Sequence, residues 1–589
     1  MATRNSPDQD RDPLVVRVLI YAATLLATLV IIPLLIAVAV QSGLLDGPLA
    51  ALRAVALFPI ALLVMGVGAS VGLALFLAPG WLDARRAGLV LGATDSRWTP
   101  WWRATDDERA AHALILGVSG MGKSRLLLAI VLQCLDRRRE AVAVLDTHGT
   151  LVRDIVGLTA DTIDERGGLI LQGAHPDHVY GFDPLRCRPG ESPTSRALAL
   201  ALALGAIAGE SWSARIELYL TAVCGALIEA DYTLAEGPRF LTDDAFRAYA
   251  LGRCTSEAAR EFAADLAQKH DRQFADEVAS VLVKLRRIVS HPEARALLGL
   301  EVTDPAYVRH RRASLPGYEP HVVDPMALLA AGCPVLIALP QRDLGPYNVT
   351  IAALICATLL DAAMSRDALA AGGPIERVTL VADELQSYAT STVVDLVEQA
   401  RKFGLSLFAS CTMLHTVPPA IRTALLGVRL LAAFQLTTED APLLAQQLYR
   451  RVLERTGQRG ARRDTSMSPG DIEDYQADQL RVTPPRWFRV HSRVRGGDAT
   501  LVRTPDIETE DDPAVDKAAR EASGRCHGNR RADVEAEFAL RRAWLDGRGY
   551  LARRPMPPGG GQPAVSPTID ADTTAPVPDA DADLDNPFA

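Results

Sequence analysis

The octapeptide Gly117-Val-Ser-Gly120-Met-Gly122-Lys123-Ser124 leaves few folds open to this chain. A short apolar run, Ala111-His-Ala-Leu-Ile-Leu, leads into it, and Arg-Leu-Leu-Leu-Ala-Ile-Val-Leu follows. Strand, glycine-rich loop and helix in that order match GxxxxGK[ST] in the context the pattern needs. Gly117, Gly120 and Gly122 let successive N–H groups turn inward around phosphate oxygens, at the positive end of a helix. Lys123 is expected to reach the β- and γ-phosphates of a nucleotide, and Ser124 to hold Mg2+. The alternative is a glycine-rich turn with a surface lysine. Only 5 of the 62 basic residues are Lys, so a lysine inside a motif is a rarer coincidence here than usual.

Such a loop needs a partner carboxylate. Arg377-Val-Thr-Leu-Val-Ala-Asp383-Glu384 is a β-branched, apolar run that ends in two acids. Asp383 is expected to hold the metal and Glu384 to polarise an attacking water; an acidic first turn of a helix is the alternative. A third run, Ala141-Val-Ala-Val-Leu-Asp146-Thr-His148-Gly149, again ends in polar residues. Asp146 and His148 are candidates to contact water linked to the nucleotide. A strand end closed by an Asx turn explains them equally well.

Two stretches are long enough to cross a bilayer. Residues 18–40 and 54–78 carry no charge over 23 and 25 positions, against the roughly 20 a spanning helix needs. Arg4, Arg11 and Arg17 precede the first and Arg85 and Arg86 follow the second, whereas the loop 41–53 has only Arg53. The positive-inside rule then places both chain ends in the cytoplasm. The whole chain is 49% hydrophobic and able to bury a core. The 8 Cys sit singly, which argues for a reducing compartment and against a structural zinc site. A net charge of −9 excludes a bulk basic nucleic-acid binder.

Strands and helices alternate over 104–180. From Thr194 to about Leu300 the periodicity becomes helical, over 196–208, 214–230, 257–269 and 274–289. Alternation then resumes with strands at 334–339, 377–382, 405–411 and 429–436, and helical crossovers between them imply a doubly wound parallel sheet. The cluster Lys284-Leu-Arg286-Arg287 reads as a solvated helix face or a DNA contact. Residues 456–554 are polar and Arg-rich, with one strand returning near Thr483-Pro-Pro-Arg-Trp-Phe-Arg-Val. Residues 555–589 hold six Asp and no Lys or Arg, and read as a disordered acidic tail that is either solubilising or a docking segment for a basic partner.

In this order the features resemble the conjugative coupling ATPases of type IV secretion systems, TraD/TraG-like proteins within the wider class of HerA/FtsK DNA pumps. The likeness covers roughly residues 15–450. It rests on the two apolar spans, the phosphate loop, Asp146-Thr-His-Gly149, the phrase Val179-Tyr-Gly-Phe-Asp-Pro-Leu185, the Asp-Glu strand and Ala400-Arg401-Lys402-Phe403-Gly404 before an apolar run. The resemblance implies an α/β fold: a RecA-like doubly wound P-loop ATPase core (81–190 and 301–455). An all-α insertion (191–300) interrupts that core, and two transmembrane helices (18–80) precede it after a cytosolic N-terminus (1–17). It implies ATP and Mg2+ as ligands, hydrolysis as activity, a homo-hexamer in the bacterial inner membrane, and single-stranded DNA, a secretion channel and DNA-processing proteins as partners. It makes Arg401 an arginine finger acting on the neighbouring subunit's nucleotide; from the residues alone Arg401 is a helix-end charge. The family strand after Arg-Lys-x-Gly ends in a nucleotide-sensing Gln; this chain has Thr412, which can still donate but is shorter. A membrane-tethered recruitment platform that only binds nucleotide and a protein-export ATPase are the competing functions.

Overall fold

The computed structural model describes residues 88–551, apart from 96–99, 138, 189, 209–211, 365–374, 376, 391, 400–403, 450–468, 497–498 and 510–511. The two apolar stretches, Arg401 and the acidic tail therefore lie outside the described residues. Among the described residues no helix is long and apolar enough to cross a membrane.

Thirteen strands are described: β1 (Leu89–Ala93), β2 (Trp101–Ala104), β3 (Ala113–Leu116), β4 (Glu140–Asp146), β5 (Leu169–Gln172), β6 (His178–Val179), β7 (Val335–Ala338), β8 (Arg377–Ala382), β9 (Leu405–Cys411), β10 (Leu430–Ala433), β11 (Trp487–Ser492), β12 (Thr500–Arg503) and β13 (Asn529–Arg530). Eleven form one sheet in the order β2-β1-β12-β11-β10-β3-β9-β8-β4-β7-β5, while β6 and β13 pair separately. From β10 to β5 every neighbour is parallel. From β10 outward to β2 every neighbour is antiparallel.

Both faces of the parallel half are buried, as parallel sheets require. Leu114, Leu116, Ala141, Ala143 and Leu145 face one core, and their alternates Ala113, Ile115, Val142 and Val144 face the other. The second core is closed by α1 (Lys123–Leu135) and α2 (Thr150–Glu165), through Leu127, Ile130, Val131, Val152 and Ile155. The first is closed by α3 (Pro193–Ala208), α4 (Ala214–Glu229) and α5 (Asn348–Met364). This is the doubly wound arrangement expected of a RecA-like core, with the phosphate loop leaving β3 and the paired acids leaving β8.

The helical segment runs further than the periodicity suggested. Among the described residues no strand lies between Val179 and Val335, and helices Pro305–Ser314 and Pro325–Ala330 follow residue 300. Each begins with Asp-Pro: the Asp304 carboxylate accepts from the Ala306 N–H, Asp324 from those of Met326 and Ala327, and the proline occupies the first turn. The sequence carried that start signal, but both helices are too short to show a clear period.

The polar stretch after 468 is built into the core. β11 and β12 extend the sheet. Helix α6 (Pro513–His527) lies against α2 and β5, where the Ser523 hydroxyl accepts from the Ile170 N–H at 2.8 Å. Helix α7 (Arg531–Asp546) is locked to the helical segment by Arg541, 2% exposed. Its guanidinium donates to the carbonyls of Gly299 and Leu300, both at 2.6 Å, and to Glu537 at 2.8 Å and Glu236 at 3.2 Å. Those buried acids hold the Arg541 pKa above its ordinary value, against the opposing effect of burial. Arg541→Ala would strand two carboxylates in the interior. It should cost about 3–5 kcal/mol, measured as a lower urea midpoint, with α7 the first helix to lose protection from hydrogen exchange.

Candidate active site

The parallel register brings three chain segments to one edge. Leu116 pairs with Cys411, and Ala382 pairs with Ala409. The residues that step off β3, β9 and β8, namely Gly117, Thr412 and Asp383, therefore emerge side by side at the carboxyl edge. That edge is where open α/β sheets bind ligands.

The loop 117–122 is held from both sides. The Gly117 N–H donates to the Cys411 carbonyl at 3.2 Å and the Val118 N–H to the Gln435 carbonyl at 2.8 Å. Gly117 has φ +158°, and a Cβ there would lie 2.5 Å from the Cβ of Phe434. At the crest, the Met121 carbonyl accepts from the Arg486 N–H at 2.8 Å. Gly120, at φ +81°, takes a left-handed conformation that suits glycine, and a Cβ there would point into open space.

Lys123 opens α1 and is 5% exposed. Its Nζ donates to the Gly117 carbonyl at 2.7 Å and lies 3.8 Å from Glu384 Oε1. Burial lowers its pKa, with Glu384 and Asp383 pulling the other way. The Ser124 hydroxyl donates to Asp383 at 3.3 Å. Asp383 is itself buried and accepts from the Ser410 hydroxyl. Burial pushes its pKa up, and the nearby Asp146 and Glu384 carboxylates add to that against Ser410 and Lys123. These donors fit a nucleotide triphosphate and its cation. A buried ammonium whose carboxylate partner is 3.8 Å away, beside an inward-turned loop, suits phosphate oxygens; a buried acid with two acidic neighbours and a serine hydroxyl suits Mg2+.

Glu384 sits in the left-handed region, φ +53° and ψ +43°, which costs a non-glycine residue about 1 kcal/mol. Its N–H donates to the Ser410 hydroxyl at 3.0 Å and to Asp383 at 3.2 Å. Thr412 donates its hydroxyl to the carboxylate, 2.7 and 2.8 Å from the two oxygens, and Gln386 donates its amide to the same carboxylate. Gln386 Oε1 in turn accepts from the Thr412 N–H at 3.3 Å.

Lys123, Ser124, Asp383, Glu384 and Thr412 are thus gathered at one place on the sheet edge. Asp146 lies behind them, with one oxygen accepting from the His148 N–H at 2.8 Å and the other from the Val152 N–H at 3.1 Å. Its carboxylate is occupied in closing the turn into α2, and His148 is exposed. Arg401 is outside the described residues. Ser410, Gln386 and Arg486 were not expected at the site. The first two sit two residues from Thr412 and Glu384, so strand alternation could have nominated Ser410; nothing in the sequence points to Arg486.

No family model and no curated protein matches the chain. Among solved structures it is similar to the bacterial conjugative coupling protein TrwBdeltaN70 in an unbound form, at 16% identity over 74% of this chain and 92% of that one, TM-score 0.48. It is similar to TrwB in complex with ADP and Mg2+, at 16% identity over 74% and 94%, TM-score 0.45. It is also similar to VirB4 of Thermoanaerobacter pseudethanolicus, at 13% identity over 72% and 97%, TM-score 0.43.

Asp146→Ala removes the acceptor for the buried Val152 N–H in the first turn of α2 and for the His148 N–H just before it. It should lower stability by about 1–3 kcal/mol in the absence of any nucleotide, read from a thermal or urea melt.

Proposed function

We propose that this chain is a Mg2+-dependent ATPase of the conjugative coupling class, anchored in the bacterial inner membrane and delivering DNA to a type IV secretion channel. The observation that carries the catalytic half is the convergence of Lys123, Ser124, Asp383 and Glu384 at the edges of β3 and β8, beside loop 117–122. The sequence resemblance carries the transport half.

When bound, ATP supplies the phosphoanhydride bond and Mg2+ the Lewis acid. The loop N–H groups and Lys123 neutralise phosphate charge as it shifts toward the leaving group. Ser124 and Asp383 hold the cation. Glu384 accepts the proton of the attacking water, with Thr412 fixing the direction of its carboxylate. The residues around 18–80 form the anchor, 81–190 with 301–455 the motor, 191–300 the insertion, 456–554 an extension of the motor, and 555–589 the tail. Arg401 stabilises the transferring phosphoryl group of the neighbouring subunit in a hexamer.

Lys123→Ala should abolish turnover and weaken ATP binding, whereas Glu384→Gln should bind ATP normally and not hydrolyse it. Chelating Mg2+ should stop turnover in the wild type. Single-stranded DNA should raise the ATPase rate; equal rates with and without DNA would count for the protein-export or platform alternatives. Mixing Arg401→Ala with Lys123→Ala subunits should restore part of the activity, because some intact Lys123 sites then face an intact Arg401.

A further inference from the structure

We infer that Gln386 is a positioning residue for the attacking water, taking the part that the family resemblance gives to a glutamine at position 412. The inference rests on the ATPase reading above. The Thr412 hydroxyl has a single hydrogen, and its oxygen lies 2.7 and 2.8 Å from the two oxygens of Glu384. Donating there, it has no hydrogen left for a phosphate or a water. The missing reach is supplied from the other strand. Gln386, two residues past Glu384 on the turn after β8, donates through Nε2 to the Glu384 carboxylate and accepts through Oε1 from the Thr412 N–H at 3.3 Å. Its amide bridges the acid and the end of β9, which a glutamine rooted at 412 would do from the opposite side.

The bridge also explains how Glu384 keeps its left-handed backbone. Such a conformation persists only where its surroundings over-determine it. Here Ser410 and Asp383 hold its N–H, while Thr412 and Gln386 hold its carboxylate. An amide nitrogen carries two hydrogens. One serves Glu384, and the other is the hydrogen assigned here to a water or phosphate oxygen beside the acid.

The test uses the full chain and three variants: Gln386→Ala, Gln386→Met, which keeps the length and removes the amide, and Gln386→Ala with Thr412→Gln. ATP turnover and the affinity for a fluorescent ATP analogue are measured on each. Gln386→Ala and Gln386→Met should lose about 10- to 100-fold in kcat, the scale seen when a hydrogen-bond partner that orients a metal ligand is removed, with analogue affinity within about twofold of wild type. Thr412→Gln should recover part of the loss in the Ala background. Wild-type kcat in either single variant, or a kcat that falls only in step with analogue affinity, overturns the inference. A wild-type chain that neither binds the analogue nor turns over ATP overturns the ATPase reading itself, so the two failures are distinct.

Discussion

The register between β3, β9 and β8 decides where every reacting group sits. Leu116 opposite Cys411 and Ala382 opposite Ala409 bring Gly117, Thr412 and Asp383 off the sheet together. That register is fixed by burial on two sides, not by the polar groups it delivers. All four residues of β3 and all seven of β9 are buried, and alternate residues of β3 serve opposite cores. A slip of one residue would exchange the two faces. The cost of that exchange, spread over several fully buried strands, exceeds any gain at the edge. Strained and charge-crowded groups can therefore be held in place there.

Those parts of the fold that depend on continuous apolar runs were legible in the sequence. β3, β4, β7, β8, β9 and β10 all fall where such runs end in glycine or polar residues, and the phosphate loop declared its own context. Of the antiparallel half only β11 was legible, as the strand expected near Thr483-Pro-Pro-Arg-Trp-Phe-Arg-Val. β2 and β12 have four residues each, with Trp101 and Thr500 exposed; each has one partner close in sequence, β1 and β11, but the join between β12 and β1 spans some four hundred residues. Neither length nor alternation could nominate such pairs. The stretch after 468 misled for a different reason. Its polar, Arg-rich composition suggested an extension with one strand returning to the core, yet Glu537 and Arg541 are buried and neutralise each other against backbone carbonyls of the helical segment. Composition counts charges and does not say whether they face one another.

The site divides in the same way. Lys123, Ser124, Asp383 and Glu384 were readable because their chemistry requires fixed spacing from a glycine loop or a strand end. Thr412 was placed only through resemblance. The hydrogen bonds that join Glu384 to Thr412 and Gln386 depend on which residues two parallel strands bring level, and on a backbone at φ +53° that no residue type at 384 announces. Asp146 shows the converse. A strand-end acid beside a nucleotide crevice had two readings, and both its oxygens are taken by N–H groups of the turn that follows.

Charge balance makes the site asymmetric toward ligand. Lys123 is buried at a price of several kcal/mol in lost hydration. Its attraction to Glu384 across 3.8 Å returns only part of that, since burial still lowers the Lys123 pKa. Its hydrogen bonds, to the Gly117 and Val118 carbonyls, are to neutral acceptors. On the other side, Asp383 lies among Asp146 and Glu384, and these acids raise rather than relieve its cost of ionisation. An anion beside Lys123 and a divalent cation beside Asp383 each remove one of these penalties. Either alone would unbalance its neighbour, since phosphate near the acids repels them and a cation near Lys123 repels the ammonium. A ligand that brings both charges at fixed separation satisfies both at once, so the packing of β3 and β8 selects for a metal-bound phosphate chain over free phosphate or free metal.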